Sequence, residues 1–154
     1  MMVLGIKEGS VEIVLPKRDY SSGERIKGRL VLTLDSPKKA RGLRVELKAE
    51  QKGAAAPKGT VVVPNVVFDL VSEVKGEGTF NSSKYDFELQ IPKSAQDAVK
   101  DKATGTGPVR WYVTASLDIP LAFDIKDRKE IFIDHEGMLG SEFVSRLKGA
   151  FHLQ

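Results

Sequence analysis

The chain has no cysteine. That excludes disulfides, thiolate nucleophiles and cysteine-based zinc sites, and it fits a reducing compartment. Histidine is nearly as scarce. Only His135 and His152 are present, both near the end of the chain. A Ser-His-Asp arrangement would have to recruit one of them, and nothing resembles a nucleophile elbow. Asp134-His135-Glu136 offers metal-ligating atoms, but adjacent residues rarely converge on one ion, so a solvated turn and no metal are expected. Gly76, Gly78, Gly105 and Gly107 match no phosphate-loop spacing and read as turn glycines. An enzyme and a cofactor are therefore not expected. No apolar run approaches the ~20 residues that span a bilayer. The start, MMVLGIKEGS, is broken by Lys7 and Glu8 before it reaches the length of a signal peptide's apolar region. A soluble, cytoplasmic protein with no integral membrane segment is expected. A surplus of one charge is missing too. There are 24 Lys plus Arg against 21 Asp plus Glu, a net +3 over 154 residues. So small a net charge builds no phosphate-binding field, and nucleic acid is not an expected partner.

What is present is alternation with a period of two. In IKGRLVLTL, Ile26, Leu30, Leu32 and Leu34 share one face. Leu43, Val45, Leu47 and Ala49 do so in LRVELKAE, with Arg44, Glu46, Lys48 and Glu50 opposite. Tyr85, Phe87, Leu89 and Ile91 repeat the pattern, and Val109, Trp111, Val113, Ala115, Leu117 and Ile119 extend it over eleven residues. Trp111 falls on the apolar stripe, which assigns it to the core rather than to a stacking platform. One dry face and one wet face per strand indicate antiparallel sheets packed on one side. Further strands are expected at Ser10–Leu15, Val66–Val74 and Lys129–Ile133, with a short one near Val3–Lys7. Turn signals fall at Ser22-Gly23, Ser36-Pro37, Gly76–Gly78, Pro92 and Gly105–Pro108. The sum is an all-β, immunoglobulin-like antiparallel sandwich over residues 1–133. Two loops are long, Gln51–Thr60 and Pro92–Gly107, the second with room for a helical turn. After residue 133 the pattern changes. Leu139, Phe143, Leu147 and Phe151 recur every four residues, the stripe of an amphipathic helix. Residues 134–154 are expected to form a short C-terminal helix or tail, weakened by Gly140 and Gly149, that folds back on the sandwich or docks on a second chain as a homodimer contact.

Several segments together resemble the arrestin-like family in its N-terminal-type domain. VEIVLPKRDYSSGERIKGRLVLTL is similar to that family's opening strands, with the aromatic at Tyr20, a Gly23-Glu24 turn, and Ile26 and Gly28 in the next strand. ARGLRVELKAEQK resembles its third strand. Phe87, Leu89, Ile91 and Pro92 carry its Phe-x-apolar-x-Ile-Pro pattern, and GPVRWYVTASLDIPLAFDIKDRKEIFI its closing pair. The resemblance covers roughly residues 10–133. It implies a non-catalytic adaptor or scaffold that recognises a protein or peptide partner by an edge strand or loops, and it includes sporulation-control-like regulators. It also implies a role for Asp19, preceded by Arg18: in visual-type arrestins this aspartate joins a buried charge cluster that a phosphorylated receptor releases. Here the matching partner position is Glu130, not arginine. The simpler expectation is that Asp19 and Ser21 bond local backbone at a strand end.

The candidate partner-binding residues are therefore Val14, on a first strand open to strand addition, Lys17, Arg18 and Asp19 in the adjacent turn, and Lys38, Lys39 and Arg41. With Arg44, the last three form the one basic cluster, suited to an acidic or phosphorylated ligand.

Overall fold

The computed structural model describes residues 9–52, 64–104 and 107–134. These form ten strands and one short helix. The strands are β1 (Gly9–Val14), β2 (Asp19–Ser21), β3 (Arg25–Leu34), β4 (Lys38–Ala40), β5 (Gly42–Gln51), β6 (Asn65–Lys75), β7 (Gly78–Phe80), β8 (Ser83–Gln90), β9 (Val109–Asp118) and β10 (Ile125–Asp134). The helix is α1 (Ala95–Lys100). One sheet runs β1-β3-β8, the other β2-β10-β9-β5-β6, and β4 pairs with β7 as a two-stranded piece. All pairings are antiparallel except β2 beside β10. The expected all-β sandwich is the observed architecture.

Alternation explains the core directly. Ile26, Leu30 and Leu32 from β3 and Phe87 and Leu89 from β8 are buried, as are Val11 and Ile13 from β1. They face Leu43, Val45, Leu47 and Ala49 from β5, and Trp111, Val113, Ala115 and Leu117 from β9. Leu34, Tyr85 and Val109, at the ends of their stripes, are only partly buried. Gly28 is where β3 passes close to Phe87: an added Cβ would lie 2.5 Å from the ring's Cζ. The expected core therefore needs a glycine at one point for the aromatic to lie flat.

The last strand begins at Ile125, earlier than the expected Lys129. Its start, IKDRKE, is mostly charged and hides the alternation, yet Ile125 is buried and the pairing with β9 runs from Ile125↔Leu117 to Ile131↔Trp111. The three-residue strands β2, β4 and β7 are too short to show a period. The long loop after Pro92 does hold helix α1. Ser94 caps it, its Oγ accepting from the Asp97 amide at 3.2 Å, and Ala95 and Val99 are buried against the sandwich. Gln51, 2% exposed, ties the end of this loop to β5: its Nε2 donates to the Gly107 carbonyl (3.0 Å) and its Oε1 accepts from the Thr104 amide (2.7 Å). The strand expected near Val3–Lys7, most of the Gln51–Thr60 loop, and the C-terminal stripe of Leu139, Phe143, Leu147 and Phe151 lie outside the described residues.

Candidate functional site

The sandwich has two ends, and the sequence-expected residues divide between them. Lys17, Arg18 and Asp19 lie at the end where β2 meets the last residues of β10. Lys38, Lys39 and Arg41 lie at the other end, where β5 begins opposite the last residue of β9. The ten residues of β5 that separate them extend roughly 30 Å at ~3.3 Å per residue. The structure does not gather the expected set into one surface.

At the first end the segment KRDY is the framework of a turn. Tyr20 is 1% exposed, and its hydroxyl donates to the Lys17 carbonyl at 3.1 Å. The Lys17 ammonium ion-pairs with Glu24 and sits 4.9 Å from the Tyr20 ring centroid. Glu24 also accepts from the Ser21 amide at 3.0 Å. Partial burial works against the Glu24 charge, but the Lys17 hydrogen bond, the Ser21 amide and the Lys17 charge outweigh it. The carboxyl is held below the ordinary glutamate range. Burial, then the charges of Glu24 and Asp19, pushes the Tyr20 hydroxyl upward. The Ser22 hydroxyl donates to the Asp134 carbonyl and accepts from the Ala95 amide, joining β10, the turn and α1. Gly23 adopts φ +85°, the left-handed conformation this turn requires. Arg18 donates to the Glu130 carbonyl at 3.1 Å and accepts at its own carbonyl from the Phe132 amide at 2.7 Å. Asp19 itself is exposed. Among the described residues it has neither the buried ion pair that the family resemblance implies nor the local backbone bond expected instead. Glu24 and Ser22 supply the turn chemistry expected of Asp19 and Ser21.

At the opposite end the basic cluster is partly neutralised. Lys38 pairs with Asp35 at 2.9 Å. Arg41 and Arg44 share Asp118 at 3.6 and 3.8 Å, and the Arg41 amide donates to the Asp118 carbonyl at 2.7 Å. Lys39 is exposed. Beside them the β9–β10 hairpin ends in Ile119-Pro120-Leu121-Ala122-Phe123-Asp124. Leu121 and Phe123 are fully exposed, at 105% and 97%. The Ala122 amide donates to the Ile119 carbonyl at 3.4 Å, closing a turn with Pro120 first and Leu121 second of its central pair. Leu121 has φ +59°, the one non-glycine residue with positive φ among those described. A side chain there costs about 1–2 kcal/mol against glycine. The Ile119 amide donates to Asp124 Oδ1 at 3.3 Å and ties the base of the loop. Sequence reasoning missed this apex because it followed the apolar stripe only as far as Ile119 and took residues 120–124 only as part of the family-like closing pair. The available signal was two large apolar residues, one apart, behind a turn proline and between Asp118 and Asp124.

The sheet edges also differ from expectation. Strand β1 is an edge, as expected for an acceptor, and Val14 is 45% exposed. Yet the Ile13 amide donates to Asp127 Oδ2 of β10 at 2.8 Å. In an antiparallel ladder alternate residues face outward, so Gly9, Val11 and Ile13 present the outer backbone groups, and Asp127 occupies the last of these. The longest edge, β6, has eleven residues and pairs only with β5, and β8, with eight, is the far edge of the three-stranded sheet. Val66, Leu70 and Val71 on it are 40%, 36% and 51% exposed. Leu70 stands opposite Leu47, on the inner face, where a five-stranded sheet overhangs a three-stranded one. Val71 stands opposite Glu46 on the outer face. Register shifts flank Arg44–Ala49, so β6 is regular from Phe68 to Glu73. Burial, and then the neighbouring Asp69 carboxylate, pushes the Glu46 carboxyl above its ordinary value.

Among the described residues no group of three His, Cys, Asp or Glu side chains is placed to hold a metal ion, and no helix is long and apolar enough to cross a membrane.

Fold and surfaces together define a two-sheet, all-β sandwich with an open edge strand and an apolar hairpin apex. A solved structure with a similar fold is that of Spo0M, a sporulation control protein from Bacillus subtilis, with a TM-score of 0.61 and 20% sequence identity. The similarity covers 84% of this chain and 50% of the Spo0M chain, so this chain spans about half of its neighbour's length. No protein-family model matches, and no curated protein matches by sequence.

Proposed function

We propose that this protein is a non-catalytic, arrestin-like recognition module that binds an extended segment of a protein partner by adding it as a strand to the edge of β6. The observation that carries the reading is the Phe68–Glu73 stretch of β6, paired on one side only and bearing exposed Leu70 and Val71 on its two faces. Six residues are a typical strand length. Main-chain bonds along such an edge give affinity, and the alternating side chains give selectivity. The β1 edge named from the sequence is the weaker candidate, because a peptide there would have to displace Asp127 from the Ile13 amide. The description of Spo0M as a sporulation control protein supports a regulatory rather than an enzymatic role.

The test is capture from an extract of the native host, comparing the unmodified chain with Leu70→Lys and Val71→Lys. Charges on an edge strand oppose pairing with another chain, and both positions are exposed enough to tolerate lysine. A partner held by the unmodified chain should be lost from both variants while their unfolding curves stay close to that of the parent. Undiminished capture by both variants would remove β6 as the acceptor.

A further inference from the structure

The hairpin apex is independent of the β6 edge. Leu121 and Phe123 are fully exposed, whereas most large apolar side chains of this domain are buried or packed against the core. Leu121 also holds a backbone conformation that glycine would adopt freely. A strained residue persists where its surroundings fix it, and here Pro120, the Ala122–Ile119 bond and the Asp124 tie to Ile119 fix the loop. The result is a braced turn carrying a leucine and a phenylalanine outward. Strain and exposure both count against this arrangement in the isolated molecule, so its use lies in contact with something else.

The contact is narrow and convex. A stable protein interface buries about 800 Å² on each side around an apolar centre, but among the described residues this end, beyond these two side chains, is turns and charges: Asp35-Ser36-Pro37, Arg41, Gly76-Glu77. A lipid surface needs no preformed pocket and admits two apolar side chains at the depth of its headgroups. The base of the hairpin supplies the matching charge. Arg41 and Arg44 share the single Asp118 carboxylate, and Lys126 and Lys39 are exposed at the same end. Asp124 is engaged by the Ile119 amide, while Glu73, opposite Arg44, and Glu77 lie to the β6 side. The cationic excess is small, so apolar insertion leads and charge assists.

We propose that the Leu121–Phe123 apex, with Arg41, Arg44 and Lys126 at its base, is a wedge that docks this protein reversibly on an anionic lipid surface. The apex enters the headgroup layer, and the cations at its base meet lipid phosphates. Nothing crosses the bilayer.

The experiment is co-sedimentation of the full chain with two kinds of vesicle, pure phosphatidylcholine and equimolar phosphatidylcholine–phosphatidylglycerol. The unmodified chain should sediment with the mixed vesicles, and more weakly with the neutral ones. Leu121→Ser combined with Phe123→Ser should lower the affinity for mixed vesicles roughly tenfold or more, given the apolar area removed from the contact. Lys126→Glu should lower it a few-fold, and raised salt should do the same. Both changes are at exposed positions and should leave urea unfolding almost unchanged. A second readout keeps the test decisive: Phe123→Trp should give a fluorophore quenched by brominated lipid. Failure of the unmodified chain to sediment with mixed vesicles would overturn the proposal, as would equal sedimentation of the double serine variant. Equal binding to neutral vesicles would overturn the assignment of an anionic surface. If a captured protein were lost on changing Leu121 and Phe123 while vesicles had no effect, the apex would be a protein contact and the proposal wrong.

Discussion

Two edges of the sandwich, β1 and β6, solve the same physical problem in different ways. An edge strand carries backbone donors and acceptors that would pair with any passing strand. On β1 the sequence puts Val11 and Ile13 into the core and lets Asp127 from the facing sheet take the Ile13 amide. The edge is held down by burial and capped at Ile13 by a carboxylate. On β6 the protection is lighter. Asp69 and Glu73 lie on the outer face, register shifts interrupt both ends, and Leu70 and Val71 remain exposed between them. The lesson is that an edge left partly open across six regular residues is the better place to look for a partner than an edge with its amide already bonded.

The largest expected difference between the edges is in stability. Ile13→Ala should destabilise the protein by about 2–5 kcal/mol, the range for deleting a buried isoleucine side chain. Val71→Ala, at a half-exposed position, should stay within about 0.5 kcal/mol of the parent. Urea unfolding of the two variants measures both, and equal losses would mean that β6 is as tightly covered as β1. A smaller effect is expected at the cap. Asp127→Ala leaves the Ile13 amide without its partner and should cost about 1 kcal/mol, whereas Asp127→Asn keeps an acceptor oxygen and should recover most of it. The alanine variant should also self-associate more at high concentration, because the β1 edge is then open. Sedimentation velocity on the three proteins checks this.

The smallest effect is on the β5–β6 side and depends on pH. The Glu46 carboxyl is raised by burial and by Asp69 across the strand pair. A group raised on folding contributes stability that is complete below its unfolded value and is lost as pH rises through its folded value. Glu46→Gln should therefore be slightly more stable than the parent at neutral pH, and the gain should fade as pH falls toward the ordinary glutamate range. Glu24, held down at the other end of the molecule, has the opposite sign: its contribution is present above the ordinary value and lost as pH falls through the lowered one. Unfolding midpoints at neutral pH should place Glu46→Gln above the parent and Glu24→Gln below it, and the two should converge on the parent as pH falls.

The architecture was legible in the sequence because burial writes itself as a period of two. Each core stripe, from Ile26–Leu32 to Trp111–Ile119, is a strand whose inner face lies in the sandwich. Short elements were illegible for the same reason: Asp19–Ser21, Lys38–Ala40 and Gly78–Phe80 hold too few residues to display a period. The start of β10 was missed because two of its three inward-parity positions, Asp127 and Lys129, are charged and only Ile125 is apolar. The candidate surfaces were legible only in part. That β1 is an edge could be argued from order along the chain, but its cap comes from Asp127, 114 residues away in sequence. Lys17, Arg18 and Asp19 looked like a charged site because a run of charges does not show what each member bonds. The Lys17–Glu24 pair and the Tyr20 hydroxyl turn most of it into a structural turn. Leu121 and Phe123 were invisible because apolar residues normally mean core, and only the turn at Pro120 reveals that these two point away from it.

Amide hydrogen exchange on the isotopically labelled full chain, followed residue by residue by NMR, tests the difference between the two edges most directly. Ile13, bonded to Asp127, should exchange as slowly as the amides of the central strand β9, while alternate amides within Phe68–Glu73 exchange much faster than their neighbours. Uniformly slow exchange along β6, or fast exchange at Ile13, would contradict the assignment of β6 as the open edge.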